Sequence, residues 1–183
     1  MIKYKIDGFQ DLKEGFKKFS PGPGLGGHCI PIDPVFMQWI AKKNNTKFIN
    51  LAIKMNTEVN NWTVKKIIDL TKKKKINNCL IVGVTYKADI NDCRESPAVK
   101  IFEKLSKIKM LNVEYTDPYI PNLKINEKIY HSVKVNNYKK YNFTIICTDH
   151  SNLNYKKIQK ESKTIIDTRG VFKNYRHSNI VHL

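Results

Sequence analysis

Cys79-Leu-Ile-Val-Gly-Val84 is the stretch of sequence that decides the fold class. It is a short, continuous apolar run, which predicts a buried strand. Ser96-Pro97 then predicts the start of a helix that ends near Lys107, because serine is a favoured N-cap and proline suits the first helical position. A buried strand followed by a helix indicates an α/β fold.

The rest of the carboxy-terminal part continues this alternation. Further strands are predicted at 113–115, 143–147 and 164–167, and a helix at about 155–161. We expect an open, mostly parallel, Rossmann-like sheet, whose ligands bind at the carboxyl ends of the strands. The residues that should therefore lie along one edge and form the site are 85–87, Asp117, Asp149, His150 and 167–169.

The first part of the chain has a helical pattern instead. A helix is predicted at about 35–43, and in the next segment apolar residues recur at spacings of four and three: Phe48, Ala52, Met55, Val59 and Trp62. Such a stripe packs on its own domain or on a second subunit. The predicted division is a helical part at 1–70 and an α/β part at 71–183.

The chain is strongly basic, with 33 Lys and Arg against 16 Asp and Glu, and a net charge of +17. Such a charge raises the possibility of a basic nucleic-acid-binding module. However, only Arg94, Arg169 and Arg176 are arginines, and proteins that read duplexes favour arginine. The lysines are spread along the chain beside many Asn and Ile residues, which compositional drift of an AT-rich coding sequence also produces. We therefore expect no nucleic-acid partner and keep that module as the alternative.

Hydrophobic residues make up 41% of the 183 residues, which is enough for a folded core. The longest apolar run is far shorter than the roughly 20 residues of a membrane helix. The first residues carry charge where a secretory signal has its apolar core. We expect a cytoplasmic protein with no membrane partner.

The four cysteines include no CxxC, and the histidines show no i,i+4 pair, so we expect no metal site. In a reducing cytosol each cysteine is either a small buried hydrophobic residue or a nucleophile.

Four glycines stand close together in Pro21-Gly-Pro-Gly-Leu-Gly-Gly27 and should leave backbone N–H groups uncovered for anionic oxygens. Gly22, Gly24 and Gly27 match GxGxxG. The preceding segment is charged and interrupted by Gly15, so no buried strand leads into the turn and the dinucleotide fingerprint is rejected. We predict a loop that shapes a sugar or phosphate pocket; a plain structural turn is the alternative.

Cys29 follows the glycines, and Asp33 stands just before Pro34 and the predicted helix. Taken alone, Cys29 could be a buried hydrophobic residue and Asp33 an N-cap. Together they indicate covalent chemistry, because a thiol near backbone donors and a helix N-terminus gains thiolate character. An aspartate one water molecule away could act as a base toward a covalent adduct.

On four stretches the chain resembles the nucleotide-sugar 6-dehydrogenases, which oxidise UDP-glucose, UDP-N-acetylhexosamines or GDP-mannose to uronic acids for polysaccharide biosynthesis. The stretches span most of the chain in the family's order and are Pro21–Pro34, Gly83–Pro97, Asp117-Pro118 and Asp167-Thr-Arg169. The cysteine loop is most similar to that of the UDP-N-acetylhexosamine branch.

The resemblance implies that Cys29 is the nucleophile of a two-step oxidation that consumes two NAD+. The thiolate captures an aldehyde as a thiohemiacetal, a thioester follows, and water hydrolyses it. Asp33 would position or activate that water. The uridine and the diphosphate would lie between the glycine loop and the carboxy-terminal sheet, with the sugar C6 facing Cys29.

The resemblance also implies ligand contacts for other residues. Substrate contacts are expected from the glycines of the loop, Gly22, Gly24, Gly26 and Gly27, and from Lys87 and Arg169, and a contact to NAD from Arg94. Without the motif, Lys87 is a surface lysine. Arg169 could equally pair with Asp167 or a neighbouring carboxylate.

The chain departs from the family in lacking the amino-terminal Rossmann domain with a GxGxxG after its first strand. It resembles the carboxy-terminal half, a fragment with part of the dimerisation helices and the UDP-binding domain. We therefore expect a homodimer or association with a separate NAD-binding half, and no activity from this chain alone.

Overall fold

The computed structural model describes residues 22–41, 46–74, 77–175 and 177–183. In chain order its elements are α1 (Asp33–Ala41), α2 (Lys47–Lys74), β1 (Asn78–Val82), α3 (Pro97–Ser106), β2 (Asn112–Thr116), β3 (Asn122–Ile125), β4 (Lys128–His131), β5 (Phe143–Ile146), α4 (Tyr155–Glu161), β6 (Ile165–Asp167) and β7 (Ile180–His182). The charged segment before the glycine loop, Lys42, Lys43 and Arg176 lie outside the described residues.

The main sheet is parallel throughout and has five strands in the order β2-β1-β5-β6-β7. This confirms the predicted α/β fold with an open parallel sheet. Each predicted strand is present, and the helix predicted at 155–161 is α4. Ser96 caps α3 as predicted, because its side chain accepts a hydrogen bond from the Ala98 N–H at 3.2 Å, with Pro97 at the first helical position.

β1 ends earlier than predicted, because Gly83 turns the chain out of the sheet. Its φ is +79°, and its N–H donates to the Thr116 carbonyl at 2.9 Å. A Cβ at this position would lie 2.5 Å from Cβ of Thr148. Only glycine suits this turn, and the residues after it are directed to the edge of the sheet.

Three strands were not predicted from the sequence. β3 and β4 form an antiparallel hairpin whose turn places Asn126 at a φ of +52°. The turn lacks a glycine, so the strongest hairpin signal is missing. β7 has only three residues, too few for a clear period-2 pattern.

Both faces of the main sheet are covered. Because strand side chains alternate between faces, Cys79 and Ile81 join one apolar cluster and Leu80 and Val82 join another. The first cluster is completed by α2 and α3. The second is completed by α4, by Tyr138 before β5 and by Phe172 after β6. The sheet therefore lies in the middle of three layers.

α2 reaches from the helical part into the core of the α/β part. Its residues Val64 and Ile67 are buried in the same cluster as β1 and α3. The helix runs through residue 70, where the sequence suggested a boundary, without a break. The division at that residue stays a prediction, but the carboxy-terminal half of α2 packs with the sheet.

The amino-terminal half of α2 and the whole of α1 carry an exposed apolar surface, which we call the apolar strip. None of the residues of α1 is buried, and Phe48 exposes 82% and Trp39 76% of their surface. The strip consists of Val35, Phe36, Met37, Trp39, Ile40, Phe48, Leu51, Met55, Val59 and Trp62. No helix of the described residues is long and apolar enough to cross a membrane.

Replacing Ile67 by alanine should lower the free energy of unfolding by about 2–5 kcal/mol, because a completely buried isoleucine leaves a cavity. The matched control is Ile129→Ala in β4, where the side chain is 57% exposed and the loss should be about 0.5 kcal/mol. Urea denaturation measures both. Equal losses would contradict a core shared by α2 and the sheet.

Candidate functional site

The residues that follow three of the parallel strands meet at one edge of the sheet, as predicted. Val84 and Thr85 follow β1, Asp117 follows β2, and His150 comes after β5. Nε2 of His150 lies 3.1 Å from Oδ2 of Asp117 and 3.3 Å from Oγ1 of Thr85. The carboxyl ends of the strands therefore build one connected polar cluster.

Asp117 is the buried acceptor in this cluster. It receives hydrogen bonds from the backbone N–H groups of Val84 (2.6 Å), Tyr119 (2.8 Å) and Ile120 (3.1 Å). Burial raises the pKa of Asp117, but the hydrogen bonds from His150 and from these N–H groups outweigh it and hold the pKa below its ordinary value. The carboxylate is therefore ionised at neutral pH.

The glycine loop is fastened to α2 and α3 by two asparagines of α2. The Leu25 N–H donates to Oδ1 of Asn56 at 2.7 Å. Buried Asn60 donates from Nδ2 to the carbonyls of Pro23 (3.4 Å) and Pro97 (3.1 Å). Both asparagines were missed in the sequence analysis. The pattern that could have indicated them is a pair of polar residues four positions apart beside the apolar stripe of the helix.

The same loop lies close against the segment after β1. The Gly27 N–H donates to the Arg94 carbonyl at 3.0 Å, so the expectation that the glycine N–H groups are uncovered is wrong for Gly27. A Cβ at Gly26 would lie 2.7 Å from Cβ of Tyr86, and one at Gly27 2.9 Å from its Cε2. These two glycines are required for close packing.

Gly22 and Gly24 lie at other borders of the loop. A Cβ at Gly22 would clash with Nη1 of Arg169, and one at Gly24 would lie 3.2 Å from Oδ1 of Asn56. It stays a prediction that a ligand contacts the glycines of the loop, Gly22, Gly24, Gly26 and Gly27. These contacts also agree with the alternative interpretation of the loop, a structural turn.

Arg169 joins the glycine loop to the sheet edge. Its side-chain Nε donates to Oδ1 of Asp149 at 3.1 Å, and its backbone N–H donates to Oδ1 of Asp167 at 3.0 Å. Its Nη1 lies beside Gly22. The carboxylate pairing that the sequence offered as an alternative is therefore present, and Nη1 of the same guanidinium lies against the loop.

Cys29 and Asp33 stand on one turn of chain at the start of α1. The N–H of Asp33 donates to the Cys29 carbonyl at 2.8 Å, and Nδ1 of His28 lies 3.9 Å from the Cys29 sulfur. Both side chains are exposed, so Cys29 is not a buried hydrophobic residue. No hydrogen bond within the described residues joins either side chain to the sheet edge.

The other three cysteines differ from Cys29 in burial. Cys79 and Cys147 are buried, and burial raises the pKa of each thiol to about 12. Cys93 is half-buried, and burial raises its pKa as well. Within the described residues, no group of three or more His, Cys, Asp or Glu side chains could hold a metal ion.

Lys87 and Arg94 stand on the loop between β1 and α3. The Lys87 carbonyl accepts a hydrogen bond from Oγ1 of Thr85 at 2.8 Å, whereas its ammonium group forms no ion pair with a described residue. Arg94 is held by both carboxylate oxygens of Asp92, at 3.1 Å from Nε and 2.7 Å from Nη2. These hydrogen bonds raise the pKa of Arg94, and the nearby Cys29 contributes to the same shift.

Two sequence profiles match this chain. Residues 80–174 match "UDP-glucose/GDP-mannose dehydrogenase family, UDP binding domain". Residues 6–61 match the central domain of the same family. The first match includes the sheet edge with Lys87, Arg94 and Arg169, and the second includes the glycine loop with Cys29 and Asp33.

Curated relatives carry related names. The UDP-N-acetyl-D-mannosamine dehydrogenase of Methanococcus vannielii is 32% identical over 164 residues, which cover 83% of this chain and 36% of that protein. A protein of the same name from Campylobacter jejuni is 35% identical over 121 residues, or 63% of this chain and 28% of that protein. This chain therefore spans about a third of the length of these relatives.

Solved structures share the fold. The UDP-D-ManNAc dehydrogenase from Pyrococcus horikoshii superposes with a TM-score of 0.72 at 25% identity, over 93% of this chain and 41% of that chain. The UDP-N-acetyl-mannosamine dehydrogenase from S. aureus gives a TM-score of 0.67 at 28% identity, over 93% and 40%. A GDP-mannose dehydrogenase from Pseudomonas aeruginosa has the same fold at 18% identity, with a TM-score of 0.71 over 88% and 40%.

A thiol reagent such as DTNB should react with the folded chain first at Cys29, because this side chain is exposed whereas Cys79 and Cys147 are buried. Absorbance of the released thiolate measures the reaction. Cys29→Ser should abolish the fast phase, and Cys147→Ser, the matched control, should leave it unchanged. A fast phase that persists in Cys29→Ser would contradict the assignment.

Proposed function

Because the chain belongs to the UDP-glucose/GDP-mannose dehydrogenase family, we propose that it is the cysteine-bearing, UDP-binding part of an NAD-dependent UDP-sugar 6-dehydrogenase. One observation carries the proposal: the loop that presents Cys29 is fastened to the sheet edge that bears Lys87, Arg94 and Arg169. The proposed nucleophile Cys29 and these three cationic side chains therefore lie around one region of the surface.

The substrate we propose is a UDP-N-acetylhexosamine, and specifically UDP-N-acetyl-D-mannosamine. The names of the relatives support this choice. Lys87, whose ammonium is unpaired within the described residues, and the outer nitrogens of Arg169 supply positive charge for the diphosphate. Because Gly22 has no side chain, the Arg169 guanidinium can lie directly against the glycine loop.

Cys29 forms and breaks the covalent bond to the substrate. Its thiolate adds to the aldehyde carbon at C6, which forms the C–S bond of a thiohemiacetal. In the second oxidation C6 loses a hydride and its hydroxyl loses a proton, which leaves a thioester. Water then attacks the carbon, the C–S bond breaks, and the sulfur leaves with the electron pair as the thiolate while the uronic acid is released.

Asp33 acts on the attacking water. Its backbone N–H donates to the Cys29 carbonyl at 2.8 Å, so Asp33 and the nucleophile share one turn of the backbone. An exposed carboxylate at this place can accept the proton that water loses as it attacks the thioester.

Arg94 is the residue of this chain that fits a contact to NAD. Its side chain is 63% exposed, Asp92 fixes its orientation, and Nη1 has no partner within the described residues. NAD+, when bound, accepts one hydride in each oxidation. We propose that its binding domain comes from outside these 183 residues and that the chain alone is inactive; NADH formation from a UDP-sugar by the pure chain would contradict this.

We propose that the apolar strip is the surface that binds a second copy of the chain or a separate NAD-binding half. Ten large apolar side chains exposed on two neighbouring helices form a patch of the kind that marks protein interfaces. The strip lies on the helices that follow Cys29, so a partner there would also cover the region next to the nucleophile.

UDP or UDP-N-acetyl-D-mannosamine at about 100 times its dissociation constant should stabilise the chain by about 2.7 kcal/mol. For a chain of this size the melting temperature should rise by about 5–11 °C, measured by thermal unfolding. Lys87→Ala should reduce the shift, because it removes a cation for the diphosphate. Lys163→Ala, an exposed lysine before β6, should leave it unchanged.

NAD+ and a short DNA duplex are the comparison ligands in this experiment. NAD+ should give no shift with the chain alone. A shift with DNA and none with the uridine ligands would contradict the proposed function and favour the basic nucleic-acid-binding module.

The chain should sediment as a dimer in analytical ultracentrifugation, and Phe48→Asp should convert it to a monomer because a carboxylate is placed in the apolar strip. Met110→Asp is the matched control, since Met110 is 85% exposed but lies outside the strip. A monomeric wild type would exclude the homodimer and favour a separate partner. A dimer that persists in Phe48→Asp would contradict the role of the strip.

A further inference from the structure

His150 is a completely buried histidine at the sheet edge, and the proposed chemistry does not use it. Its Nε2 lies 3.1 Å from Oδ2 of Asp117 and 3.3 Å from Oγ1 of Thr85. Its Nδ1 lies 3.1 Å from the backbone nitrogen of Asp89. Both ring nitrogens therefore form hydrogen bonds, one with the sheet edge and one with the loop that carries Lys87.

The partners determine which nitrogen of His150 carries the proton. A backbone N–H can only donate, so Nδ1 accepts from Asp89. The hydroxyl of Thr85 donates to the Lys87 carbonyl at 2.8 Å, and the Asp117 carboxylate can only accept. Nε2 is therefore the donor, and His150 is a neutral ring in the Nε2–H form.

The loop segment that His150 holds is strained. Asp89 has a φ of +61°, in the left-handed region that a residue with a Cβ rarely adopts. Its Oδ1 accepts a hydrogen bond from the Ser151 N–H at 2.9 Å. The backbone bond to His150 and this side-chain bond together hold Asp89 in this conformation.

Lys87 lies midway between two anchored residues of this loop. Thr85 is anchored by Thr148, whose hydroxyl donates to the Thr85 carbonyl at 2.6 Å, and by His150. Asp89 is anchored by His150 and Ser151. The five residues 85–89 thus connect two points on the same imidazole ring.

We propose that His150 is a positioning residue, which holds the 85–89 loop against Asp117 so that Lys87 is presented to the ligand in a preformed conformation. The gain is in the free energy of binding, because a loop that is already ordered loses less conformational entropy when the ligand binds. The inference rests on the proposed function in one respect: Lys87 is taken as a ligand contact.

Two uncharged substitutions each preserve one of the two hydrogen bonds of the His150 ring, with Asp89 or with Asp117. His150→Asn places an acceptor near the position of Nδ1 and keeps the bond from Asp89. His150→Gln places a donor near the position of Nε2, keeps the bond to Asp117 and loses the bond from Asp89. Each substitution leaves a similar polar volume in the same buried place, so each is the control for the other.

Amide hydrogen exchange, followed by NMR, tests whether His150 stabilises the 85–89 loop. His150→Gln should speed exchange of the Asp89 amide by up to about tenfold, the effect of losing one hydrogen bond. Exchange in β1, at Leu80 and Ile81, should stay unchanged, and His150→Asn should retain the protection of Asp89. Equal protection of Asp89 in both variants would overturn the proposal, as would a general increase that includes β1.

Calorimetric titration with UDP tests the consequence for binding. His150→Gln should raise Kd by up to about tenfold, and His150→Asn should change it less. If the wild type binds no UDP, the proposed function fails, and the exchange at Asp89 still decides whether His150 holds the loop. If the wild type binds and His150→Gln binds equally well, the positioning role fails while the proposed function stands.

The wild-type protein provides a test that does not depend on the folding of a variant. The nitrogen chemical shifts of the His150 ring should report the Nε2–H form with Nδ1 as an acceptor. A proton on Nδ1 would be incompatible with the bond from Asp89 and would overturn the proposal.

Discussion

Strand β1 has apolar layers on both faces, and this burial is the constraint on which the rest of the structure depends. Cys79 and Ile81 require the cover of α2 and α3 on one side, and Leu80 and Val82 require the cover of α4 on the other. A strand covered on both faces leaves only its ends for polar chemistry. The candidate site therefore lies where β1 ends, at Gly83, and not on a face of the sheet.

At that edge, buried polar groups are satisfied by one another. Asp117 takes hydrogen bonds from the chain that follows β1 and from His150, while His150 takes one from Asp89. A buried carboxylate or imidazole with an unmade hydrogen bond would cost about 1–3 kcal/mol. The network is therefore stable as a whole, and it gives a defined shape to the loop between β1 and α3.

The glycine loop depends on this shape in turn. It bonds to Arg94 through Gly27, packs on Tyr86 and is fastened to α2 by Asn56 and Asn60. Cys29 follows directly, so the position of the proposed nucleophile is coupled to the sheet edge through a short run of backbone. The apolar strip begins in the next helix, which joins the proposed chemistry to the proposed partner surface.

Local patterns in the sequence determined the fold class, the cap of α3 and the positions of strands β1, β2, β5 and β6 along the chain, because burial periodicity and capping act within a few residues. They also marked Cys29 and Asp33 as candidates, whereas Lys87, Arg94 and Arg169 were indicated by the resemblance to the family. The roles of Asn56, Asn60 and His150 and the pairing of Arg169 with Asp149 were decided only by the tertiary structure. Each of those contacts joins side chains to groups 20 or more residues away, and local spacing carries no information about which distant groups a folded chain brings within hydrogen-bond distance.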